Sequence, residues 1–174
     1  MYKRQEYNEY APVGRYKVFE NEVGQIATAA VDQVEEAMYS LLLGYNFKKE
    51  KDLAYLASFH ARFEQIHPFA DGNGRVGRLI LYKECLKEGI TPFIVDDTRK
   101  ADYYNALEQF QVYENHQPLI DYFAIEQKFY ANYLKNKGFV GKINDSKDRD
   151  VINNKSKSAD DSHKKPNKTK GFSL

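Results

Sequence analysis

The sequence predicts an all-α fold, a helical bundle that carries one short β-hairpin. Three observations lead there. Apolar residues recur at steps of three and four along five stretches between residues 22 and 134. Only Arg15–Val23 alternates in the manner of a strand. Residues 141–174 hold few large apolar side chains and many Asn, Ser, Asp and Lys, so burial cannot offset the entropy of ordering them. The domain is therefore expected over 1–140, with 141–174 a flexible basic tail.

The elements follow in order. Tyr16 and Val18 alternate ahead of Glu20-Asn21, which suggests a hairpin within Arg15–Val23. Ile26, Ala30, Val34, Met38 and Leu41 predict a first helix over about Glu22–Leu43, ended by Gly44 and Asn46. Leu56, Phe59, Phe63 and Ile66 share one face of a second helix from about Lys51, with Asp52 as a cap and Pro68 as the stop. Leu79, Tyr82 and Leu86 mark the face of a third, which Gly89 terminates; Cys85 within it reads as a small buried hydrophobe. Asp97 or Thr98 can cap a fourth helix running to about Tyr113. A fifth begins near Pro118 and carries Leu119, Tyr122, Phe123, Phe129, Tyr130, Tyr133 and Leu134.

Composition narrows the function classes. The 174 residues hold 26 Lys+Arg against 25 Asp+Glu, a net charge of +1, which argues against a dedicated nucleic-acid-coating protein. That balance conceals a split, because 141–174 has nine basic and five acidic residues, a net +4, and leaves 1–140 at −3. The single Cys85 excludes a disulfide framework and a Cys-based metal site. No apolar run approaches the roughly 18 residues of a membrane span, and MYKRQEYNEY lacks the apolar stretch of a secretory signal. A cytoplasmic protein with no membrane partner is the expectation.

The chemistry gathers between the second and third helices, in His67-Pro68-Phe69-Ala70-Asp71-Gly72-Asn73-Gly74-Arg75-Val76-Gly77-Arg78. Gly72, Asn73 and Gly74 tolerate the backbone angles of an anion-binding nest, and the following helix adds its positive end. Arg75 and Arg78, three apart, bring two guanidinium forks to one side, which suits a polyphosphate. Asp71 stands where a carboxylate beside phosphates can hold Mg²⁺. His67 ends the preceding helix and can accept a proton at neutral pH.

His67–Arg78 resembles the signature of the Fic family, HPFx(D/E)GNGRxxR, at every specified position. A looser likeness extends over about Arg15–Leu134. In the related Doc group a Lys replaces the second glycine, so Gly74 favours Fic proper. The resemblance implies a Fic-like bundle with a hairpin flap and Mg²⁺-dependent transfer of AMP from ATP to a Ser, Thr or Tyr hydroxyl of a protein. His67 would be the general base and Asp71 the metal ligand. Gly72, Asn73 and Gly74 would form the anion hole, Arg75 would grip the β-phosphate and Arg78 the γ-phosphate. Tyr103, Tyr104 and Gln111 would lie on the nucleotide side, with Val18 or Phe19 of the flap against the target residue; His60 reads as a packed helix residue. The alternatives are transfer of another nucleotide or phosphate-containing group, and a non-catalytic, toxin-like nucleotide-binding module controlled by a partner.

Many Fic proteins carry an inhibitory helix with the pattern (S/T)xxxE(G/N). No Ser or Thr of this sequence starts it: counting Thr28 as the first position, the fifth is Asp32, and counting Ser58 as the first it is Arg62. The expectation is a separate, antitoxin-like protein that supplies the Glu, or a chain that is a fragment beginning near the flap. Some relatives by resemblance are injected effectors, so a secreted role stays compatible with the sequence.

Overall fold

The computed structural model describes residues 14–23 and 26–137. All of them belong to the first of two units of the chain, Met1–Gly141. The expected flexible tail, 141–174, lies outside the described residues. Two short strands, β1 (Glu22–Val23) and β2 (Ile26–Ala27), pair antiparallel with Val23 opposite Ile26. A single 3-10 turn, Val31–Gln33, leads into α1 (Val34–Phe47). Then come α2 (Leu53–Ile66), α3 (Asn73–Lys87), α4 (Lys100–Tyr113) and α5 (Gln117–Asn136). Among the described residues no helix is long and apolar enough to cross a membrane.

Helix α2 is the hub, meeting α1, α3, α4 and α5. Its sequence explains why. Leu56, Ala57, Phe59, His60, Ala61, Phe63 and Glu64 are all buried, too wide an arc for a helix with one dry face. Asp52 starts the helix by accepting the Tyr55 N–H at 2.8 Å. Around α2 the core is built on rings: Tyr45 packs edge-on to Phe59 and Phe93 lies 4.7 Å from Phe123. Each such fully buried apolar side chain contributes roughly 1.5–3 kcal/mol. Helix α5 is tied to the start of α4 by a two-pronged ion pair, Arg99 Nε to Glu126 Oε1 at 2.6 Å and Nη2 to Oε2 at 2.8 Å.

Three expectations need correction. The hairpin lies later than Arg15–Val23: its strands are β1 and β2, and Tyr16, Val18 and Phe19 sit in irregular chain ahead of it. Helix α1 accordingly starts at Val34, not Glu22, because Ile26 continues the helical spacing by coincidence while its backbone pairs with Val23. It also runs through Gly44 and Asn46 to Phe47; a Cβ at Gly44 would meet nothing, so that glycine neither breaks nor packs the helix. In α3 the inward face is Gly77, Leu81, Glu84 and Cys85, not Leu79, Tyr82 and Leu86; Leu79 and Leu86 are 69% and 56% exposed. The smallest residue faces the neighbour, since at Gly77 the helix comes so close to Phe63 and Glu64 that a Cβ would collide.

The remaining ends follow the sequence closely. Gly89, at φ +68°, terminates α3, with Ile90 N–H reaching back to the Cys85 carbonyl at 2.8 Å. Asp96, one residue before the expected cap, accepts from Thr98 N–H at 2.8 Å to open the turn before α4. Pro118 lies in the first turn of α5.

Candidate active site

The loop 67–72 joins α2 to α3, and its shape starts at His67. This residue closes α2 in the left-handed region, φ +50° and ψ +59°, which a side chain with a Cβ adopts at a cost of roughly 1–2 kcal/mol. The bend turns the imidazole away from the helix axis. Its Nδ1 lies 3.2 Å from the Glu64 carbonyl. A carbonyl can only accept, so Nδ1 carries the hydrogen and the lone pair is left on Nε2. Partial burial lowers the His67 pKa, the bond to the Glu64 carbonyl raises it, the Lys17 ammonium lowers it and Asp71 raises it; the net shift is downward, toward the neutral ring.

Asn73, 1% exposed, fixes the rest of the loop. Its Oδ1 accepts the Phe69 N–H at 2.8 Å and its Nδ2 donates to the Phe69 carbonyl at 2.7 Å. Asn73 therefore spends its side chain on closing the loop. Gly72, at φ +85°, is the residue before α3, a conformation that favours glycine. No side chain caps this helix, so the N–H groups of Asn73, Gly74 and Arg75 point out of its positive end toward an anion. Gly74 itself is helical. It serves by close approach, because a Cβ there would stand 2.9 Å from Arg78 Nη1, so the Arg78 guanidinium lies over it.

Asp71 receives the Gly72 N–H on Oδ1 at 2.6 Å and pairs through Oδ2 with Arg75 Nη2 at 3.2 Å. Both side chains are well exposed at the mouth of the loop. Arg78 is half-buried. His67, Asp71, Gly72, Asn73, Gly74, Arg75 and Arg78 are thus brought together around one uncapped helix end.

The other expected residues are placed differently. Tyr103 is 1% exposed; its hydroxyl lies 2.7 Å from His60 Nε2, and Arg78 acts on it electrostatically. It supports the site from beneath. Tyr104 beside it is 48% exposed. Gln111 donates from Nε2 to the Ala61 carbonyl at 3.1 Å and so ties α4 to α2. Val18 and Phe19 are about half exposed. His60 is packed, as expected, and burial pushes its pKa down to about 4.

Two groups of residues were missed by sequence reading. Lys17, buried at 3%, sends Nζ to Asn21 Oδ1 at 2.6 Å and to Thr28 Oγ1 at 2.7 Å. Its N–H binds the Pro68 carbonyl at 2.8 Å, and Asn21 Nδ2 donates to the Phe69 carbonyl at 3.1 Å. This clamp stitches the chain around β1 to the loop, and no local spacing announces it. The second is Glu64, a carboxyl on the buried face of α2, four residues after His60. The signal available was a charged residue inside an apolar stripe.

Comparison with known proteins agrees with this architecture. The Fic/DOC family model matches residues 2–85. The protein adenylyltransferase Fic of Nematostella vectensis is 30% identical over 99 residues, covering 55% of this chain and 23% of that protein. A Fic family protein of Desulfovibrio desulfuricans G20 superposes with a TM-score of 0.57 at 28% identity, covering 74% of this chain and 43% of that one. A Fic domain containing signaling protein of Bacteroides thetaiotaomicron gives a TM-score of 0.62 at 23% identity, over 69% of this chain and 53% of its own. The last likeness is one of fold. The chain spans less than a quarter of the Nematostella protein's length.

Proposed function

We propose that this chain, which is similar to the Fic/DOC family over residues 2–85, transfers AMP from ATP to a Ser, Thr or Tyr hydroxyl of a protein and releases pyrophosphate. The observation that carries this reading is an imidazole whose Nδ1 is held by the Glu64 carbonyl, leaving Nε2 to the substrate, beside an uncapped helix end flanked by two arginines. In the reaction the target oxygen attacks the α-phosphorus. The bond to the α,β-bridging oxygen breaks, pyrophosphate departs, and the hydroxyl proton passes to His67 Nε2. The first N–H groups of α3 oppose the charge that develops on the phosphoryl oxygens, and they do so from a loop already closed by Asn73. Arg75 binds the β-phosphate and Arg78 the γ-phosphate, which orients the α-phosphorus toward the incoming hydroxyl.

Magnesium fits this loop by donor chemistry. Mg²⁺ is ordinarily held by one or two carboxylates together with substrate phosphates. Among the described residues no three His, Cys, Asp or Glu side chains surround a common point, and Asp71 stands beside the nest, its Oδ1 on the Gly72 N–H. Asp71 would hold the ion, which would neutralise phosphate charge. Tyr104, exposed next to buried Tyr103, offers a ring to the nucleoside. The target segment would lie against the chain 16–27, where Val18 and Phe19 present apolar surface and the short hairpin an edge for main-chain pairing.

The deciding experiment incubates the protein with ATP labelled on the α-phosphate, Mg²⁺ and a cell lysate, and repeats it with His67→Ala. Label should appear on protein and fall by at least about 10²-fold in the variant. Equal labelling by both would remove His67 as the base. Competition with unlabelled GTP, CTP and UTP reads which nucleotide the site prefers.

A further inference from the structure

Glu64 is a carboxyl 8% exposed in the centre of the bundle. Gly77 makes its seat, for a Cβ there would stand 2.3 Å from Glu64 Oε1. Among the described residues that oxygen has no hydrogen-bond partner. Groups from three helices face the carboxyl. His60 Nε2, on its own helix, is 3.9 Å from Oε1. Arg78 of α3 acts on it electrostatically, as does Tyr103 of α4, whose hydroxyl lies 2.7 Å from His60 Nε2. From α1 and α5 come Met38, beside Phe63, and Phe123, against His60. Burial outweighs the favourable arginine, and the Glu64 pKa rises to about 7.

Arg78 Nη1 lies over Gly74 and Glu64 Oε1 over Gly77, three residues apart on one face of α3, so the guanidinium and the buried carboxyl are neighbours at the helix end where the proposed phosphate binds. We propose that Glu64 is a positioning residue for Arg78, sharing that guanidinium with the outermost phosphate of a bound nucleoside triphosphate, so that phosphate binding draws a proton onto Glu64. The proposal rests on Arg78 as the γ-phosphate ligand. Its physical content is simple. A phosphate brought to Arg78 adds negative charge near Glu64 and disfavours the carboxylate further, and by linkage an ionised Glu64 weakens the triphosphate. Affinity should then fall as pH rises through the range where Glu64 ionises. His67 titrates below the ordinary histidine value of 6.5, so the two groups act in separate windows.

Calorimetry on the full chain tests this, with Mg²⁺ and an ATP analogue whose α,β bridge is methylene and cannot be cleaved. Titrations at pH 7.5 in two buffers of different ionisation enthalpy count the protons taken up. The wild type should take up a measurable fraction of a proton more than Glu64→Gln does. Its dissociation constant should rise about three- to tenfold from pH 6.5 to 8.5, against less than about twofold for the variant. ADP, without the outermost phosphate, should show a smaller difference between the two proteins. Equal uptake by wild type and Glu64→Gln would overturn the proposal, and so would zero uptake by the wild type, a result that needs no variant to fold. Arg78→Ala separates the two levels. If it binds the analogue as tightly as wild type, the γ-phosphate role of Arg78 is wrong, and the proposal built on it fails with it. If it binds weakly while Glu64→Gln leaves proton uptake unchanged, only the role of Glu64 is wrong.

Discussion

His67 shows how much a single residue is asked to do. Its left-handed backbone, its Nδ1 bond to the Glu64 carbonyl and the nearby Lys17 ammonium all act on one ring. Burial and Lys17 favour the neutral form, and a general base works only when neutral. With His67 as the proposed base, the acid limb of the rate profile is expected below pH 6.5, with activity retained above it and lost as pH falls through the His67 pKa. Lys17→Met removes the positive charge and should move that limb to higher pH, by a few tenths of a unit to about one unit. The dependence of kcat/KM on pH reads both values, and a limb that moves downward would contradict the electrostatic role of Lys17. At this scale the sequence was informative wherever the chemistry is contiguous. The twelve residues from His67 to Arg78 name their own partners. Lys17 and Glu64 could not be found that way, because the groups that give them meaning lie elsewhere in the chain, Thr28 and Pro68 for Lys17 and Gly77 for Glu64.

Among the elements, α3 illustrates where periodicity succeeds and where it misleads. Leu79, Tyr82 and Leu86 form as regular a stripe as any in the chain, yet it is the Gly77–Leu81–Cys85 side that enters the core. Hydrophobicity ranks faces by transfer energy, whereas the approach of two helices is limited by the bulk between them. Gly77 removes that bulk and lets Glu64 in. Gly77→Ala is expected to destabilise the fold by about 1–3 kcal/mol through overpacking. Much of that loss should be recovered in the double variant Gly77→Ala/Glu64→Ala, where the colliding carboxyl is gone. Urea denaturation of the two single variants and the double variant measures the coupling; strict additivity would mean that the alanine is accommodated elsewhere. The boundaries of α2, α4 and α5 were legible to within about two residues because Asp52, Asp96 and Pro118 act locally. The hairpin was not, since the pairing of Val23 with Ile26 leaves no trace in the alternation of Tyr16 and Val18.

In the whole molecule, the contacts divide by distance along the chain. Helical hydrogen bonds are local, but the walls of the site are joined by long spans: Asn21 to Phe69, His60 to Tyr103, Gln111 to Ala61. Each span closes a loop of more than forty residues, and such closures are entropically late. The clamp through Lys17 and Asn21 is the outermost of them, resting on a few hydrogen bonds, the main-chain bond from Lys17 to Pro68 among them, instead of a helix face. Time order follows from this geometry. The bundle around α2 is expected to assemble first, and the seam between the chain at 17–28 and the loop at 68–73 last. In the native protein the sequence runs in reverse, and that seam should open as a unit without global unfolding. Hydrogen exchange at low denaturant should show the amides of Lys17 and Phe69 exchanging together, well before the interior amides of α2. Their exchange at the global rate would mean that the seam and the bundle are one cooperative block. A protein built in this order can lose and regain the surface around its helix-capping loop many times within the lifetime of a single fold.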